Sequence, residues 1–263
     1  MTLTNQQASP TYSPSRLIRD ASAVLVDLDG CLLAGRSAAP GAHELLRLAG
    51  ERLVVVSNNS TDTAASMAGL LADLGLPVPA ERIVLAGEVA LRLLREQHPG
   101  APVLAMVGGP LAATLDDLAL VETDPEVVLL CRDLYLSYVR LRAAARALHG
   151  GAALIVANPD LSHPDADGAP VPETGSLLAA LRAMVPGITP TVVGKPESGL
   201  YREALARLGA SPETALMMGD NPDTDLVGAR RLGMAGLLVE PATADGGGLP
   251  ALLAATPPGV ASS

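Results

Sequence analysis

The 263 residues of this chain are 49% hydrophobic, enough to bury one large core or two smaller ones, which excludes global disorder. The formal net charge of −10 opposes binding to a phosphate backbone or an anionic membrane surface, and without Trp or Phe and with only four Tyr the chain has little with which to stack bases. We therefore expect neither nucleic acid nor a membrane as a partner.

The predicted elements begin after residues 1–16, which lack both a basic start and an apolar stretch and are interpreted as a loose tail rather than a signal peptide. Cys31 and Cys131 match neither a zinc spacing nor a disulfide framework, which favours a cytoplasmic protein. Apolar strands then alternate with helices along the first third of the chain. In order they are AVLVD, helix 41–49, RLVVVS, helix 61–74, RIVLAG and helix 87–97. This alternation indicates an α/β fold whose parallel sheet is covered by helices on both faces.

The middle of the chain, residues 99–187, has a pattern of its own and is long enough to form a second α/β layer inserted into the first. Its predicted elements are PVLAMVGG, a short helix at 111–118, EVVLLC, a long helix at 137–148, AALIVANPD, a Pro/Gly-rich loop and a helix at 176–184. The first pattern then resumes with TPTVVGK, helix 198–208, ALMMGD, helix 224–232 and GLLV, and the tail from Gly246 is expected to be poorly ordered beyond one last helical turn. We therefore predict a core of residues 1–98 and 188–263 and a smaller inserted domain of residues 99–187.

Four predicted strands end in polar motifs. These are DLDG at 27–30, SNNS at 57–60, GKP at 194–196 and GDNPDTD at 219–225. Because loops at the carboxyl ends of parallel strands line the ligand crevice of an open sheet, we expect all four motifs at one rim.

Three aspartates of these motifs, Asp27, Asp29 and Asp220, predict a magnesium site. Two ionised carboxylates about 4 Å apart repel by roughly 4 kcal/mol at an effective dielectric of ~20, so a cation is needed to offset the repulsion. Carboxylates are hard oxygen ligands, which suit Mg²⁺.

The other two motifs offer groups for an anion. A helix that begins after the SNNS motif would present backbone N–H groups, and Ser57 would add a hydroxyl donor. Lys195 is the one lysine among 18 basic residues, a compact ammonium where the chain otherwise uses Arg. Acid, metal, donors and ammonium together point to phosphoryl transfer.

Each motif alone has a simpler interpretation. An Asp-Gly pair is commonly a turn, SNNS a helix cap, and residues 220–225 either a generic cation site or a capped helix start with Asp223 or Thr224 as the cap. The order of the four motifs, each after a strand, favours the functional reading. No Walker-type or dinucleotide-binding loop is present, and the four histidines are scattered without metal spacing, so they are expected in solvated positions.

In this order the motifs resemble the haloacid dehalogenase superfamily of phosphatases with an aspartate nucleophile. More narrowly, the chain is similar to the type IIA branch with a large inserted cap, which contains para-nitrophenylphosphatases, phosphoglycolate and pyridoxal-phosphate phosphatases and nucleotide monophosphatases. The resemblance runs from about Ala21 to Val239 and includes PGAHELLRLAG and, in the cap, ALIVANPD and PVPETGSL. It implies a Rossmann-like core and a cap that selects the substrate.

The resemblance also implies roles for single residues. Asp27 would attack phosphorus and form an aspartyl-phosphate, and Asp29 would protonate the leaving alcohol and then activate water. Mg²⁺ would be held by Asp27, the main-chain carbonyl of Asp29, and Asp220, with Asp225 as a ligand or directly behind one. The residues expected to bind the phosphate or the rest of the substrate are Leu28, Ser57, Asn58, Asn59, Lys195, Asn158 and Asp160.

The predicted function is Mg²⁺-dependent hydrolysis of a small phosphorylated metabolite: a sugar or glycerol phosphate, phosphoglycolate, pyridoxal phosphate or a nucleoside monophosphate. The sequence also leaves open whether two copies of the chain form a homodimer. Three alternatives remain: transfer to an acceptor other than water, a signalling module phosphorylated on aspartate, and a phosphate-binding protein without turnover.

The chain departs from the branch at Asn221-Pro222, where Arg is common after Gly-Asp, and at 127–141, which lacks the usual Gly-rich, Phe-containing form.

Overall fold

The structure is a computed structural model that describes residues 13–164, 167–240 and 247–254. The strands of the described residues are β1 (Ala23–Val26), β2 (Leu33–Ala34), β3 (Ser37–Ala38), β4 (Leu53–Ser57), β5 (Ile83–Leu85), β6 (Pro102–Met106), β7 (Ala119–Leu120), β8 (Val127–Leu130), β9 (Ala153–Val156), β10 (Ser162–Pro164), β11 (Pro170–Pro172), β12 (Thr191–Val192), β13 (Ala215–Gly219) and β14 (Ala235–Leu238). The α-helices are α1 (Pro14–Asp20), α2 (Ala42–Ala49), α3 (Ala64–Asp73), α4 (Ala86–Gln97), α5 (Tyr138–His149), α6 (Thr174–Met184), α7 (Ser198–Leu208), α8 (Val227–Arg231) and α9 (Gly248–Ala254).

One five-stranded sheet has the order β14-β13-β1-β4-β5. Strand β1 pairs in parallel with β13 on one side and β4 on the other, so that Val26 lies opposite both Met218 and Val55. Every residue of these three strands is buried, as their continuous apolar sequences predict for a sheet covered on both faces. Asp27 and Asp220 follow directly after two neighbouring strands of this sheet.

A second five-stranded sheet has the order β12-β9-β8-β6-β7, and all its neighbouring strands are parallel. Helices α5 and α6 pack on it around a continuous apolar core. That core contains Leu104, Met106, Val128, Leu130, Val156, Ala144, Leu148, Leu154, Leu178 and Leu181. The observed parallel sheets and helices confirm the predicted α/β fold class.

The chain divides into two compact units. The first contains the described residues up to Val56, residues Ala68–Ile83 and the described residues from Tyr201 onward, and the second contains Ser57–Met67 and Val84–Leu200. The predicted insertion at 99–187 lies within the second unit, while its proposed role as a cap with those boundaries stays a prediction. None of the helices in the described ranges has the length and apolar character that crossing a membrane requires.

Several local predictions were wrong. The strand predicted in TPTVVGK is β12, which pairs with β9 in the second sheet and not with the sheet of β1 and β13. The alternation of strands and helices does not reveal which sheet a two-residue strand joins. The Pro/Gly-rich loop contains the antiparallel pair β10–β11, whose prolines conceal a strand pattern. The short helix at 111–118 is a 3₁₀ helix, Pro110–Thr114.

The two predicted tails lie partly outside the described residues. Of the N-terminal tail, residues 14–16 form the first turn of α1, where Pro14 occupies a position that needs no N–H donor. At the other end, the tail predicted from Gly246 includes helix α9, and residues 255–263 lie outside the described ranges.

Candidate active site

Asp27 stands immediately after β1 and is held there by the main chain. Its N–H donates to the Met218 carbonyl at 2.8 Å, which continues the β1–β13 ladder by one residue. Its carboxylate Oδ1 accepts the N–H of Leu28 at 2.8 Å. Leu28 has a buried side chain, so the group it could offer a substrate is its main chain. The strand end and this hydrogen bond together fix the orientation of the Asp27 carboxylate.

The chain after Asp27 turns back on itself in a tight loop. The N–H groups of Leu32 and Leu33 both donate to the Leu28 carbonyl at 2.8 Å, and Asp29 lies exposed on this loop. Gly30 has a φ of +74°, and a Cβ at this position would overlap the carboxylate of Asp220. The missing side chain of Gly30 therefore allows Asp220 to approach the loop that carries Asp29.

Asp225 is fully buried and is held by the loop that follows β13. Its Oδ2 accepts the N–H of Asn221 at 3.1 Å, and a Cβ on Gly219 would overlap its carboxylate. The hydroxyl of Tyr201 donates to the Thr224 carbonyl at 2.9 Å and lies 3.2 Å from the Asp225 carbonyl. A glycine at the strand end and a buried tyrosine thus keep this carboxylate in one place.

A π-helical turn, Pro222–Leu226, carries Asp225 and is capped by Asn221. The Asn221 side-chain oxygen accepts the N–H groups of Asp223 at 3.0 Å and Thr224 at 3.4 Å. The alternative in which Asp223 or Thr224 caps this element is therefore wrong. Asn221 serves here as the cap. It follows Gly-Asp, a position at which the resembled branch commonly has arginine.

The side chains of Asp27, Asp220 and Asp225 each offer a carboxylate oxygen, and these oxygens lie within 4.8 Å of one another. Three carboxylates this close fit a hard divalent cation, since Mg²⁺ prefers oxygen ligands and would cancel their mutual repulsion. The space that Gly30 leaves beside Asp220 is consistent with such a site. The donor set therefore fits the predicted magnesium ion.

A second group of predicted residues gathers in the other unit around Asn58 and Lys195. Lys195 is 2% exposed. The Asn58 side chain accepts the N–H of Lys195 at 2.7 Å and donates to its carbonyl at 3.1 Å. The same amide nitrogen donates to Asp160 Oδ2 at 3.0 Å. Gly194 makes this approach possible, because a Cβ there would lie 2.5 Å from the Asn58 side-chain oxygen.

Ser57 ends β4 and is buried, and its hydroxyl accepts the N–H of Asn59 at 3.1 Å. The Asn59 side chain is used locally: its oxygen accepts the N–H groups of Thr61 and Asp62, and its nitrogen donates to the Asp62 carboxylate. A role of Asn59 in substrate binding stays a prediction. The same holds for the substrate-binding roles of the other residues in this second group.

Helix α3 begins at Ala64, so its predicted start at residue 61, directly after the SNNS motif, was wrong by three residues. Thr63 and Ser66 form a reciprocal cap, in which each hydroxyl accepts the other residue's N–H at 3.0 Å. Two main-chain donors of this first turn are therefore satisfied by side chains, so an anion site cannot rest on them.

A charged cluster in the second unit was not predicted from the sequence. Glu173 Oε1 lies 2.7 Å from His163 Nδ1 and 3.3 Å from Arg132 Nη1, and the Glu173 side chain is 15% exposed. Burial raises the pKa of Glu173, and the charges of Arg132 and His163 oppose that shift. The His163 side chain is 40% exposed, in line with the expected solvated position, but its contact with Glu173 was not predicted. These residues come from separate elements, so no local pattern could reveal the cluster.

Comparisons with known proteins agree with this geometry. Residues 24–120 match the family described as haloacid dehalogenase-like hydrolase, and residues 192–260 match a HAD-hydrolase-like family. D-glycerol 3-phosphate phosphatase of Mycobacterium tuberculosis is 34% identical over 229 residues, which are 85% of this chain and 64% of that protein, so this chain spans under two thirds of its length. Dihydroxyacetone phosphatase of Corynebacterium glutamicum is 31% identical over 226 residues, 84% of this chain and 82% of that protein.

Among solved structures, glycerol phosphate phosphatase from Mycobacterium tuberculosis in complex with magnesium aligns with a TM-score of 0.77 and 33% identity, covering 86% of this chain and 70% of that one. Fold, acidic site and relatives together define the class of hydrolase to which this chain belongs. The chain belongs to the haloacid dehalogenase-like hydrolases. The predicted superfamily and enzyme class are confirmed.

Proposed function

We propose that this protein is a Mg²⁺-dependent phosphatase of small phosphomonoesters, with glycerol phosphate and other three-carbon phosphates as the first candidates. The observation that carries the proposal is the group formed by Asp27, Asp220 and Asp225, whose carboxylate oxygens lie within 4.8 Å of one another. Two relatives, named D-glycerol 3-phosphate phosphatase and dihydroxyacetone phosphatase, support this substrate class. Phosphoglycolate, sugar phosphates, pyridoxal phosphate and nucleoside monophosphates stay predictions.

Asp27 is the proposed nucleophile. An oxygen of its carboxylate, oriented by the strand end and the Leu28 N–H, forms a bond to phosphorus as the bond from phosphorus to the leaving alcohol oxygen breaks. Asp29 is exposed on the adjoining loop and gives its proton to that alcohol. It then takes a proton from water, whose oxygen attacks the phosphorus of the aspartyl-phosphate, releasing phosphate and restoring Asp27.

Asp27, Asp220 and Asp225 would hold Mg²⁺, with the main-chain carbonyl of Asp29 as a further ligand implied by the resemblance. The ion, when bound, would neutralise the carboxylates and the negative charge of the phosphoryl group. Gly30 and Gly219 support this assignment, because side chains there would push Asp220 and Asp225 away from their observed places.

The phosphoryl oxygens are proposed to bind the Ser57 hydroxyl and the Lys195 ammonium. The observed use of the Asn58 amide on the Lys195 main chain suits an indirect role for Asn58, one that fixes Lys195. Direct substrate contacts from Leu28, Asn59, Asn158 and Asp160 stay predictions.

A phosphate-release assay tests the proposal. Purified protein is incubated with a panel of metabolite phosphates in Mg²⁺ and in chelator, with Asp27→Asn and the exposed Asp223→Asn as matched carboxylate variants. We expect Mg²⁺-dependent release from three-carbon phosphates by the parent and Asp223→Asn, and none from Asp27→Asn. Folded protein that releases no phosphate from any ester would contradict the proposal.

The same assay separates the remaining alternatives. A phosphotransferase would release the alcohol faster than phosphate when glycerol is added as an acceptor, and a signalling module would accumulate phosphoprotein without turnover. The predicted cytoplasmic location and the homodimer stay predictions, and light scattering in solution tests the second.

A further inference from the structure

A small polar cluster lies fully inside the second unit. Its members are the hydroxyls of Ser60 and Thr174 and the amide of Asn158, which are 3%, 0% and 1% exposed. The two hydroxyl oxygens are 3.1 Å apart, and the Asn158 nitrogen lies 3.4 Å from Ser60 Oγ and 3.3 Å from Thr174 Oγ1. We call these three residues the buried junction.

Two main-chain groups fix the orientation of the Asn158 amide. Its oxygen accepts the N–H of Asp160 at 3.1 Å, and its nitrogen donates to the Asn58 carbonyl at 2.7 Å. A main-chain N–H can only donate and a carbonyl can only accept, so the amide has one orientation that satisfies both. Its second N–H then points to the two hydroxyl oxygens of the buried junction.

Asn158 reaches Asn58 by two routes. The first is its direct hydrogen bond to the Asn58 carbonyl. The second runs through Asp160, whose N–H binds Asn158 and whose Oδ2 accepts from the Asn58 side chain at 3.0 Å. The Asn58 side chain in turn binds both the N–H and the carbonyl of Lys195. A continuous set of hydrogen bonds therefore links the buried junction to the main chain of Lys195.

Ser60 and Thr174 share a hydrogen bond in which either hydroxyl can be the donor. Ser60 Oγ also accepts the N–H of Arg132 at 3.0 Å and is approached by the Asn158 nitrogen. Removal of the Thr174 hydroxyl would leave the buried Ser60 hydroxyl without this partner, and the loss of a hydrogen-bond partner at a buried site is costly. The junction is thus sensitive to a single oxygen atom.

We propose that Ser60, Asn158 and Thr174 are positioning residues that set the place of Lys195 through Asn58. The inference rests on the proposed function, in which Lys195 binds the phosphoryl group. Displacement of a binding group by a fraction of an ångström weakens every ligand that uses it. A phosphate ester and inorganic phosphate should therefore be affected to the same degree.

Thr174→Val tests this proposal, since it replaces the hydroxyl by a methyl group of similar shape. Thr174→Ser keeps the hydroxyl, and Ser176→Ala removes a neighbouring hydroxyl that binds the Leu161 carbonyl outside the junction. The measurements are the KM for para-nitrophenyl phosphate in Mg²⁺, the inhibition constant of inorganic phosphate, and the melting temperature. We expect Thr174→Val to raise KM and the inhibition constant in parallel by about tenfold, and both controls to stay within about twofold of the parent.

Parent-like constants in Thr174→Val would overturn the proposal, as would a Thr174→Ser variant as impaired as Thr174→Val. Should Thr174→Val not fold at the assay temperature, Ser60→Ala takes its place with the same expectation. Calorimetric titration with inorganic phosphate and Mg²⁺ distinguishes failure of the proposed function from failure of the buried junction's role. A parent that turns over no ester refutes the proposed function, whereas phosphate binding unchanged by the variant refutes the buried junction's role.

Discussion

The side-chain amide of Asn58 binds both main-chain groups of Lys195, accepting from its N–H at 2.7 Å and donating to its carbonyl at 3.1 Å. The amide thus pairs with Lys195 as a neighbouring strand would. Lys195 is the single lysine of the chain and is almost fully buried. Its position therefore depends on a residue from a distant part of the sequence.

Asn58→Asp keeps the size of the side chain and removes only its hydrogen-bond donor. The new carboxylate still accepts from the Lys195 N–H, but it cannot donate to the Lys195 carbonyl or to Asp160. We expect kcat/KM for a phosphomonoester to fall about 100-fold and the free energy of unfolding to fall by about 1–3 kcal/mol. Asp160→Asn in the Asn58→Asp background restores a donor opposite the new carboxylate and should recover part of both losses. A double-mutant cycle without coupling would contradict this account.

Asp225→Asn tests the metal site from its buried side. Asp225 is fully buried beside Gly219 and contributes one of the three grouped carboxylates. We expect the Mg²⁺ concentration for half-maximal activity to rise by about 10- to 100-fold. Asp223→Asn, an exposed carboxylate two residues away, is the matched control and should leave that concentration unchanged. Equal magnesium requirements in the two variants would show that Asp225 does not act on the metal.

Gly30→Ala tests the close approach of the loop to Asp220. Gly30 and Gly35 both have positive φ, +74° and +61°, but a Cβ on Gly30 would overlap the Asp220 carboxylate whereas a Cβ on Gly35 meets nothing within 4 Å. Both alanine variants should lose about 1 kcal/mol of unfolding free energy from backbone strain. We expect only Gly30→Ala to lose Mg²⁺-dependent activity, and similar activity in both variants would argue against the clash.

Because the thiol of Cys131 is buried, we expect the protein to lose stability at alkaline pH. Burial raises its pKa from 9.0 to about 12, so the unfolded thiol ionises before the folded one. The contribution to stability is present below pH 9 and is lost as pH rises toward 12, at a slope approaching about 1.4 kcal/mol per pH unit. Urea unfolding at pH 7 and pH 10 should show a smaller loss in Cys131→Ala than in the parent. An equal loss in both proteins would contradict the buried, protonated thiol.

The sequence carried enough information to predict most of the carboxylate group in the first unit. Uninterrupted apolar runs mark β1 and β13, and parallel neighbours place the residues that follow them at one edge, so Asp27 and Asp220 could be paired before any coordinates. Asp225 was expected near the metal only because the family resemblance implied it. Its burial was not predicted, because it depends on the contact with Gly219 and on the place of Tyr201.

The errors have specific physical causes. The start of α3 is set by the reciprocal cap of Thr63 and Ser66, which competes with the SNNS motif that precedes it. The sheet that β12 joins depends on its pairing with β9 and not on its own sequence. The buried junction brings together Ser60, Asn158 and Thr174 from three separate segments, and such contacts have no local signature.

Trapping of the covalent intermediate tests the central claim most directly. The protein is mixed with a phosphomonoester and Mg²⁺, reduced with borohydride, digested and analysed by mass spectrometry, with a chelator-treated sample in parallel. An aspartyl-phosphate at residue 27 predicts homoserine at that position with Mg²⁺ and unmodified aspartate in chelator. Release of phosphate at the full rate with no homoserine at residue 27 would contradict Asp27 as the nucleophile.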